Sequence, residues 1–406
     1  MRPETNYPKD LRREHERDMK NSSKAGERKE NRRIILFILV CFALSRLIIL
    51  AVTYLKTRSL NPAEAVKSLN IWDATWYAEY TRGLFTDGKL LLNEGTGQAC
   101  WAFFPLYPLL TGLLNKILPF LTTYGTGSLL SSLCLMGSEY AAYRYIRLTR
   151  GSTRLPYLYI FLMSFGPYSF YFSIMYTEAL FLLLLTLCFY YTEKQDYIKT
   201  GISGALLCAT RNVGVLFCFV LLVRWIIRCR QEEQGKLKTR TFFAKSFGNP
   251  KLVLGAVMIP LGLFLYMLWL KYYIGDAFAF LHVQRAWGKA LRGVLRVMYH
   301  ELFAGFPPGY IGTCIIAAAG LICYLLVNRW MAEAVFPILV LLISAMTSAI
   351  SVPRYMMGTF TIMLAVCDAI DRRSKLFRYG IPLLLAGLEI LIVRAWVLGI
   401  NSTLLV

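Results

Sequence analysis

The stretch NIWDATWYAEYTRGLF, residues 70–85, follows the first apolar run and precedes Phe103-Phe104-Pro105-Leu106-Tyr107-Pro108. Written as a helix, it puts Asp73 on one face with Trp76, Tyr77 and Tyr80, because side chains three and four apart are neighbours. The result is one carboxylate on a short helix loaded with rings. Aromatic side chains collect at membrane–water interfaces, so the pattern lays this helix along a bilayer surface. A carboxylate held there is positioned as a general base for a lipid-bound substrate, or else it anchors the helix and faces water.

Composition supports the bilayer. Of the 406 residues, 56% are apolar and 17% charged, with a mean hydropathy of +0.48. A soluble domain is nearer to about half apolar and a quarter charged. Apolar runs of about 20 residues recur throughout, the pattern of an all-α polytopic membrane protein. The net charge of +21 does not point to nucleic acid. Lys and Arg sit mostly at the ends of spans, where topology and anionic lipid account for them. All of the ten cysteines but Cys100 and Cys229 lie in apolar spans, with no metal-ligand spacing. Three histidines leave little material for a metal site or for His-based catalysis.

Residues 1–33 carry eleven Lys or Arg and seven Asp or Glu, and read as a mobile basic cytoplasmic tail without a cleavable signal peptide. Residues 34–406 read as one integral-membrane domain without repeats or heptads. About eleven spans are expected: 34–54, 102–121, 126–145, a pair at 155–172 and 175–191 broken around Phe165-Gly166-Pro167, 202–223, 252–272, 310–327, 332–350, 355–370 and 381–400. Ser45-Arg46 interrupts the first and Arg211-Asn212 the sixth. The basic loop 224–251 is expected in the cytoplasm, with outer loops at 56–101 and 273–308 and the C-terminus outside. One conflict arises: strict alternation puts Arg144, Arg147, Arg150 and Arg154 outside. Either the Pro-rich run 102–121 is re-entrant, or 202–223 is a hairpin broken at Arg211.

With this topology, three polar sets meet on the outer side: Asp73; Asp276 with His282, Gln284, Arg285 and Trp287; and Arg354 with Tyr355. Ionisable side chains at membrane depth usually line a cavity or a substrate path. A carboxylate facing Arg and His fits transfer from a phosphate-activated donor, the carboxylate taking a proton and the cations holding the phosphate that leaves. The alternatives are interfacial anchoring for Arg285, Arg292 and Arg296, and snorkelling for Arg354. Glu178 is either a partner for an arginine or an acid ending a helix. Arg211 lies mid-span with no nearby carboxylate in sequence.

Trp72-Asp73-Ala74 with Trp76-Tyr77, then Ala102-Phe103-Phe104-Pro105-Leu106-Tyr107-Pro108, resembles the signature of the second mannosyltransferase of GPI-anchor synthesis (PIG-V) and its prokaryotic relatives. Ser173 to Glu178, Thr210-Arg211-Asn212 with Gly214, Gly275-Asp276 through Trp287, and Pro353-Arg354-Tyr355 continue the resemblance in order, over roughly residues 33–370. It implies a GT-C glycosyltransferase fold with interfacial helices in the first outer loop. The implied reaction is inverting transfer of a sugar, typically mannose, from a polyprenyl- or dolichyl-phosphate donor to a lipid or glycan acceptor. Asp73 falls at the position of the catalytic base. Arg285 and Arg354, with His282, would bind the donor phosphate, and Arg211 and Glu178 would line the cavity. Trp72, Trp76, Tyr77, Phe104, Tyr107, Tyr176 and Tyr355 complete the expected substrate-binding set. No cofactor or metal is expected, because relatives with lipid monophosphate donors need none and Asp73 is followed two positions on by Thr75. The expected home is a bacterial cytoplasmic membrane, or the endoplasmic reticulum in a eukaryote. The rival reading, a transporter or flippase of a lipid-linked sugar, calls for internal repeats that this chain lacks. A non-catalytic partner of another transferase is the third.

Overall fold

The computed structural model describes residues 9–59, 61–289, 293–303, 309–347 and 349–400; Arg292 lies outside them. The first helix, α1 (Lys9–Thr57), is continuous over 49 residues. Of the mobile tail expected over residues 1–33, residues 1–8 lie outside the described residues and 9–33 are helical. They extend a helix already nucleated by the span, and extension needs no new nucleus. Glu27 and Glu30 of this stretch pair with Arg144 and Arg147. Asn61 then caps α2 (Pro62–Leu69) by accepting from the Ala63 amide, with proline at the first turn. Next come α3 (Asp73–Phe85) and a small antiparallel hairpin, β1 (Leu92–Asn93) with β2 (Gln98–Ala99), register Leu92 to Ala99. A 3₁₀ turn at Cys100–Ala102 leads into α4 (Leu106–Ile117).

The bundle continues with α5 (Thr123–Arg150), α6 (Leu155–Phe165), a 3₁₀ turn at Ser169–Ser173, α7 (Glu178–Glu193) and α8 (Tyr197–Thr210). A 3₁₀ turn at Asn212–Leu216 opens α9 (Phe217–Glu232), followed by α10 (Thr239–Phe247), α11 (Pro250–Met258) and α12 (Leu261–Ile274). The segment beyond holds α13 (Ala279–His282), a 3₁₀ turn at Val283–Trp287 and α14 (Val294–Phe303). Last come α15 (Tyr310–Val327), α16 (Met331–Thr347), α17 (Val352–Met357), α18 (Phe360–Asp371) and α19 (Lys375–Leu398). The protein is all-α and polytopic. Among the described residues, five helical stretches are long and apolar enough to cross a membrane: Gly26–Thr57, Asn212–Glu232, Pro250–Ile274, Tyr310–Val327 and Lys375–Leu398.

Contacts sort the remaining helices by the end of the bundle they reach. One end is basic: Arg147 meets Glu30, Arg150 and Arg224 meet Glu333, and Arg378 meets Asp371. The other carries Asp73, Glu178, Arg211 and Arg354. The run 102–121 does not cross. Pro105 and Pro108 delay its helix, which starts only at Leu106. Both ends of α4 pack on the first turns of α5, with Tyr107 donating to the Gly127 carbonyl (2.7 Å) and Asn115 to Thr126 (2.9 Å). The run 202–223 does reverse. Arg211 is extended (φ −156°), Gly214 folds back onto Leu207 and Cys208, and Arg228 of α9 returns to Tyr197 at the start of α8. Sequence posed these departures as alternatives, yet either alone would carry loop 224–251 to the opposite end from Arg372 and Arg373. Together they cancel. The helices running between the two ends are α1, α5, α6 with its 3₁₀ extension, α7, α8, α9, α11 with α12, α15, α16, α18 and α19, a different membership from the spans expected, and five stretches among them have the length and apolarity to cross a membrane. Arg144, Arg147 and Arg150 now sit with the other basic clusters.

Candidate active site

Asp73 is the first residue of α3, and the residues before it are bolted from three directions. Trp396 of α19 donates its indole N–H to the Leu69 carbonyl (2.9 Å). Buried Asn70 donates to Ser128 of α5 (3.2 Å) and accepts the Met175 amide (2.6 Å). Tyr176 donates to the Ile71 carbonyl (2.9 Å). Trp72 then turns the chain at φ 57°, ψ −118°, a left-handed conformation that an L side chain holds only under constraint, at about 1–3 kcal/mol. That turn starts the helix at Asp73.

Asp73 belongs to a chain of four charges. Arg354 Nη1 donates to Asp73 Oδ2 (2.9 Å), Arg354 Nε lies 3.2 Å from Glu178 Oε1, and Arg211 Nη2 reaches that same oxygen (2.5 Å). Arg354 and Glu178 are buried, at 6% and 2% side-chain exposure, so this is not the snorkelling arginine that sequence allowed. The Tyr355 ring lies within cation–π reach of both guanidinium groups, 5.5 Å from Arg354 and 5.2 Å from Arg211. Thr177 accepts from Arg211 Nε (2.8 Å) and meets the Tyr77 hydroxyl (3.1 Å). A break in the helix rather than a mid-span position accounts for Arg211: α8 ends at Thr210, which frees its side chain to reach Glu178.

These groups face a cavity of about 680 Å³. Of the residues singled out from sequence, Asp73, Tyr77, Phe104, Glu178, Arg211, His282, Arg285, Arg354 and Tyr355 line it. Phe103 and Phe104 of the Pro-rich segment form one wall, with Phe104 packed on Tyr266 and Phe280. The segment after α12 packs against that wall, Phe280 on Phe104 and Trp287 on Phe103, and brings His282, Arg285 and Lys289 to the lining. His282 there bonds Asp276 through Nδ1 (2.7 Å), and this bond holds the exposed Asp276 carboxyl below its ordinary range. Neither Arg285 nor Lys289 has a carboxylate within ion-pair distance among the described residues.

Four expected substrate-binding residues stand outside the lining. Trp72 is 45% exposed at the turn. Trp76 packs on Phe103 and Trp287 behind the wall. Tyr107 is buried, bonding Gly127 and Ser131. Tyr176 holds Ile71 and lies under Arg354. Their aromatic spacing matched a site, but the rings and hydroxyls of Trp76, Tyr107 and Tyr176 are used inside the fold and Trp72 faces outward. Sequence reasoning missed Lys289, which stands four residues after Arg285, and the positioning trio Asn70, Thr177 and Trp396.

No family model matches this chain, and no curated protein does. Among solved structures, the archaeal oligosaccharyltransferase AglB from Archaeoglobus fulgidus, in complex with an inhibitory peptide and a dolichol-phosphate, aligns over 89% of this chain and 55% of its own, at 12% identity and a TM-score of 0.49. The Archaeoglobus fulgidus oligosaccharyltransferase complexed with Zn and sulfate aligns over 88% and 53%, at 12% identity and a TM-score of 0.47. Its apo form aligns over 89% and 56%, at 11% identity and a TM-score of 0.47. The chain thus spans a little over half the length of the solved structures it is similar to.

Proposed function

We propose that this protein is an inverting GT-C glycosyltransferase of the membrane, similar to PIG-V, that moves a sugar, mannose in this reading, from a polyprenyl-phosphate donor to a lipid or glycan hydroxyl. The observation that carries the reading is one carboxylate, Asp73, pinned by Arg354 in the lining of a cavity that also presents Arg285, Lys289 and His282. Its volume is in the range of ligand sites, about 300–1,000 Å³. Within the ion chain two arginines balance two carboxylates, so the surplus charge of the cavity is positive and suits an anionic donor.

In this mechanism Asp73 takes the proton of the acceptor hydroxyl as its oxygen forms a bond to the anomeric carbon. The bond from that carbon to the phosphate oxygen breaks on the far side, which inverts the centre. The prenyl phosphate leaves with its charge held by Arg285, Lys289 and His282. Arg354 has both its charged contacts on carboxylates and is assigned to positioning Asp73 rather than to the phosphate. No metal enters the scheme. With the basic clusters inside by the positive-inside rule, the cavity opens at the outer face of a bacterial cytoplasmic membrane or its topological equivalent, the lumenal face of the endoplasmic reticulum.

The test is purified protein in nanodiscs with short-chain prenyl-phosphate mannose and candidate acceptor lipids, products read by mass spectrometry. Asp73→Asn keeps the shape of the side chain but cannot take the proton, and transfer is expected to fall about 100- to 10,000-fold with donor binding retained. Transfer that survives Asp73→Asn removes Asp73 from the mechanism. Transfer lost on adding a chelator brings a metal into it. Lipid movement with no new glycosidic bond identifies a transporter.

A further inference from the structure

Ser45-Arg46, the polar interruption of the first span, has no part in the cavity above. The helix runs through it unbroken, and Arg46 lies against a second polar centre inside the bundle. Its stem reaches the surface, but both Nη atoms are buried with no hydrogen-bond partner, while Nε donates to Ser45 (3.2 Å). Two buried glutamates act on this guanidinium through space, Glu139 of α5 and Glu389 of α19. Each is half satisfied. Glu139 Oε1 accepts from Ser164 (2.9 Å), and Glu389 Oε1 accepts from Ser169 (2.9 Å) and the Phe170 amide (2.8 Å). The second oxygen of each is buried without a partner. Unpartnered groups at this depth are expensive, and four such atoms in one cluster call for an occupant.

Space for one adjoins the Glu389 end of this cluster. A cavity of about 260 Å³ lies between α1, α6 and α19, bordered by Glu389, Ser45, Ser164 and Ser169 on its polar side. Its other walls are apolar, among them Ile48, Leu383 and Ile390, which are 39%, 66% and 40% exposed. The slot therefore runs from a polar floor to the flank of the bundle that meets lipid. A carbon added at Gly387, on its wall, would touch nothing within 4 Å.

We infer that this slot binds the neutral hydroxyl head of a long-chain amphiphile, with its tail running out between α1 and α19 into the bilayer. The head donates to the unpartnered oxygen of Glu389, beside serine hydroxyls whose own protons already go to Phe42, Glu139 and Glu389. The floor, Glu389 with Ser45, Ser164 and Ser169, presents no cation to the cavity, so an anionic head such as a fatty acid has no counter-charge there. Arg46 already fills the cationic role, so a hydroxyl fits better than an ammonium. The walls supply the apolar contact that a soluble sugar or free water would waste.

The experiment uses the full chain in phosphatidylcholine nanodiscs with a diazirine-bearing C16 alcohol, its methyl ether, and the matching amine. Labelled peptides are mapped by mass spectrometry. The alcohol is expected to label residues 383–393 and 45–52, the ether roughly tenfold less, because it cannot donate to the buried carboxylate. Gly387→Phe fills the slot without touching a charge and should abolish labelling with the thermal unfolding midpoint kept. Glu389→Gln should reduce the difference between alcohol and ether. Equal labelling by alcohol and ether, stronger labelling by the amine, labelling unaffected by Gly387→Phe, or none above that of a carrier lipid would each overturn the proposal. No arm needs glycosyl transfer, so the result is independent of the role proposed for Asp73.

Discussion

Glu178 answers two guanidinium groups with one oxygen, and its burial makes that arrangement sensitive. Glu178→Gln leaves Arg354 and Arg211 short of a counter-charge; losing one partner of a buried pair is worth about 3–5 kcal/mol. A marked fall in thermal unfolding midpoint in detergent is expected, and an unchanged midpoint would show that the pair is dispensable. Arg354→Lys should recover little of what Arg354→Ala loses, since a point charge cannot reach both carboxylates as the guanidinium fork does. Arg285→Ala and Lys289→Ala should behave oppositely: stability unchanged, donor binding weakened by about 1.5–3 kcal/mol each as a charge-assisted hydrogen bond goes. Equal donor affinity in both variants removes the phosphate role. Asp73 was legible in the sequence because a lone acid among rings is conspicuous. Asn70, in the same stretch, was not, because its meaning comes from Met175, 105 residues away. Trp396 acts across 327 residues, a distance that no local pattern encodes.

At the level of helices, α8 meets α11 and α12 through glycine. A Cβ on Gly255 would fall 2.1 Å from the Tyr197 carbonyl oxygen, and one on Gly262 would fall 1.9 Å from that of Ala205. Small residues let backbones approach where lipid offers no hydrophobic drive between helices. Gly255→Leu should therefore break the packing of α8, the helix that delivers Arg211, and the protein should lose its single size-exclusion peak. Gly320→Leu, where nothing lies within 4 Å, is the matched control and should not. The wall after α12 responds to acid instead. Its Asp276 carboxyl is held low by His282, so the pair contributes above the unfolded carboxylate value, about pH 4, and the contribution is lost as pH falls through the folded one. Amide exchange across Ala279–His282 should rise there, and flat exchange down to about pH 2 would show that the bond does not order this helix. Helices with strong apolar runs were readable in advance. The run 102–121 was not, because hydropathy measures how apolar a segment is, while its course was decided by two prolines and by the polar partners Tyr107 and Asn115 find on α5. The reversal at Arg211 was flagged by its charge, and the basic clusters at 144–154 and 224–251 fall on one end only when both departures occur.

For the molecule as a whole, the two ends of the bundle make a sidedness test. Cysteines introduced at Asp87 and Asp276, near the cavity end, should react with an impermeant maleimide from one face of sealed vesicles. One at Lys236, in the basic loop, should react only from the other. Labelling of all three from one face would refute the path of the chain described above. The whole also has an order in time. Asp73 and Arg354 are 281 residues apart, and among the described residues Asp73 pairs with no other cation. A ribosome adding about 5–20 residues per second reaches Arg354 roughly 15–55 s after it has made Asp73. Throughout that interval the nascent chain holds an acid without its counterpart. Its last quarter is thus what closes the site, and a chain released before Arg354 keeps the Asp73 carboxylate without its counter-charge.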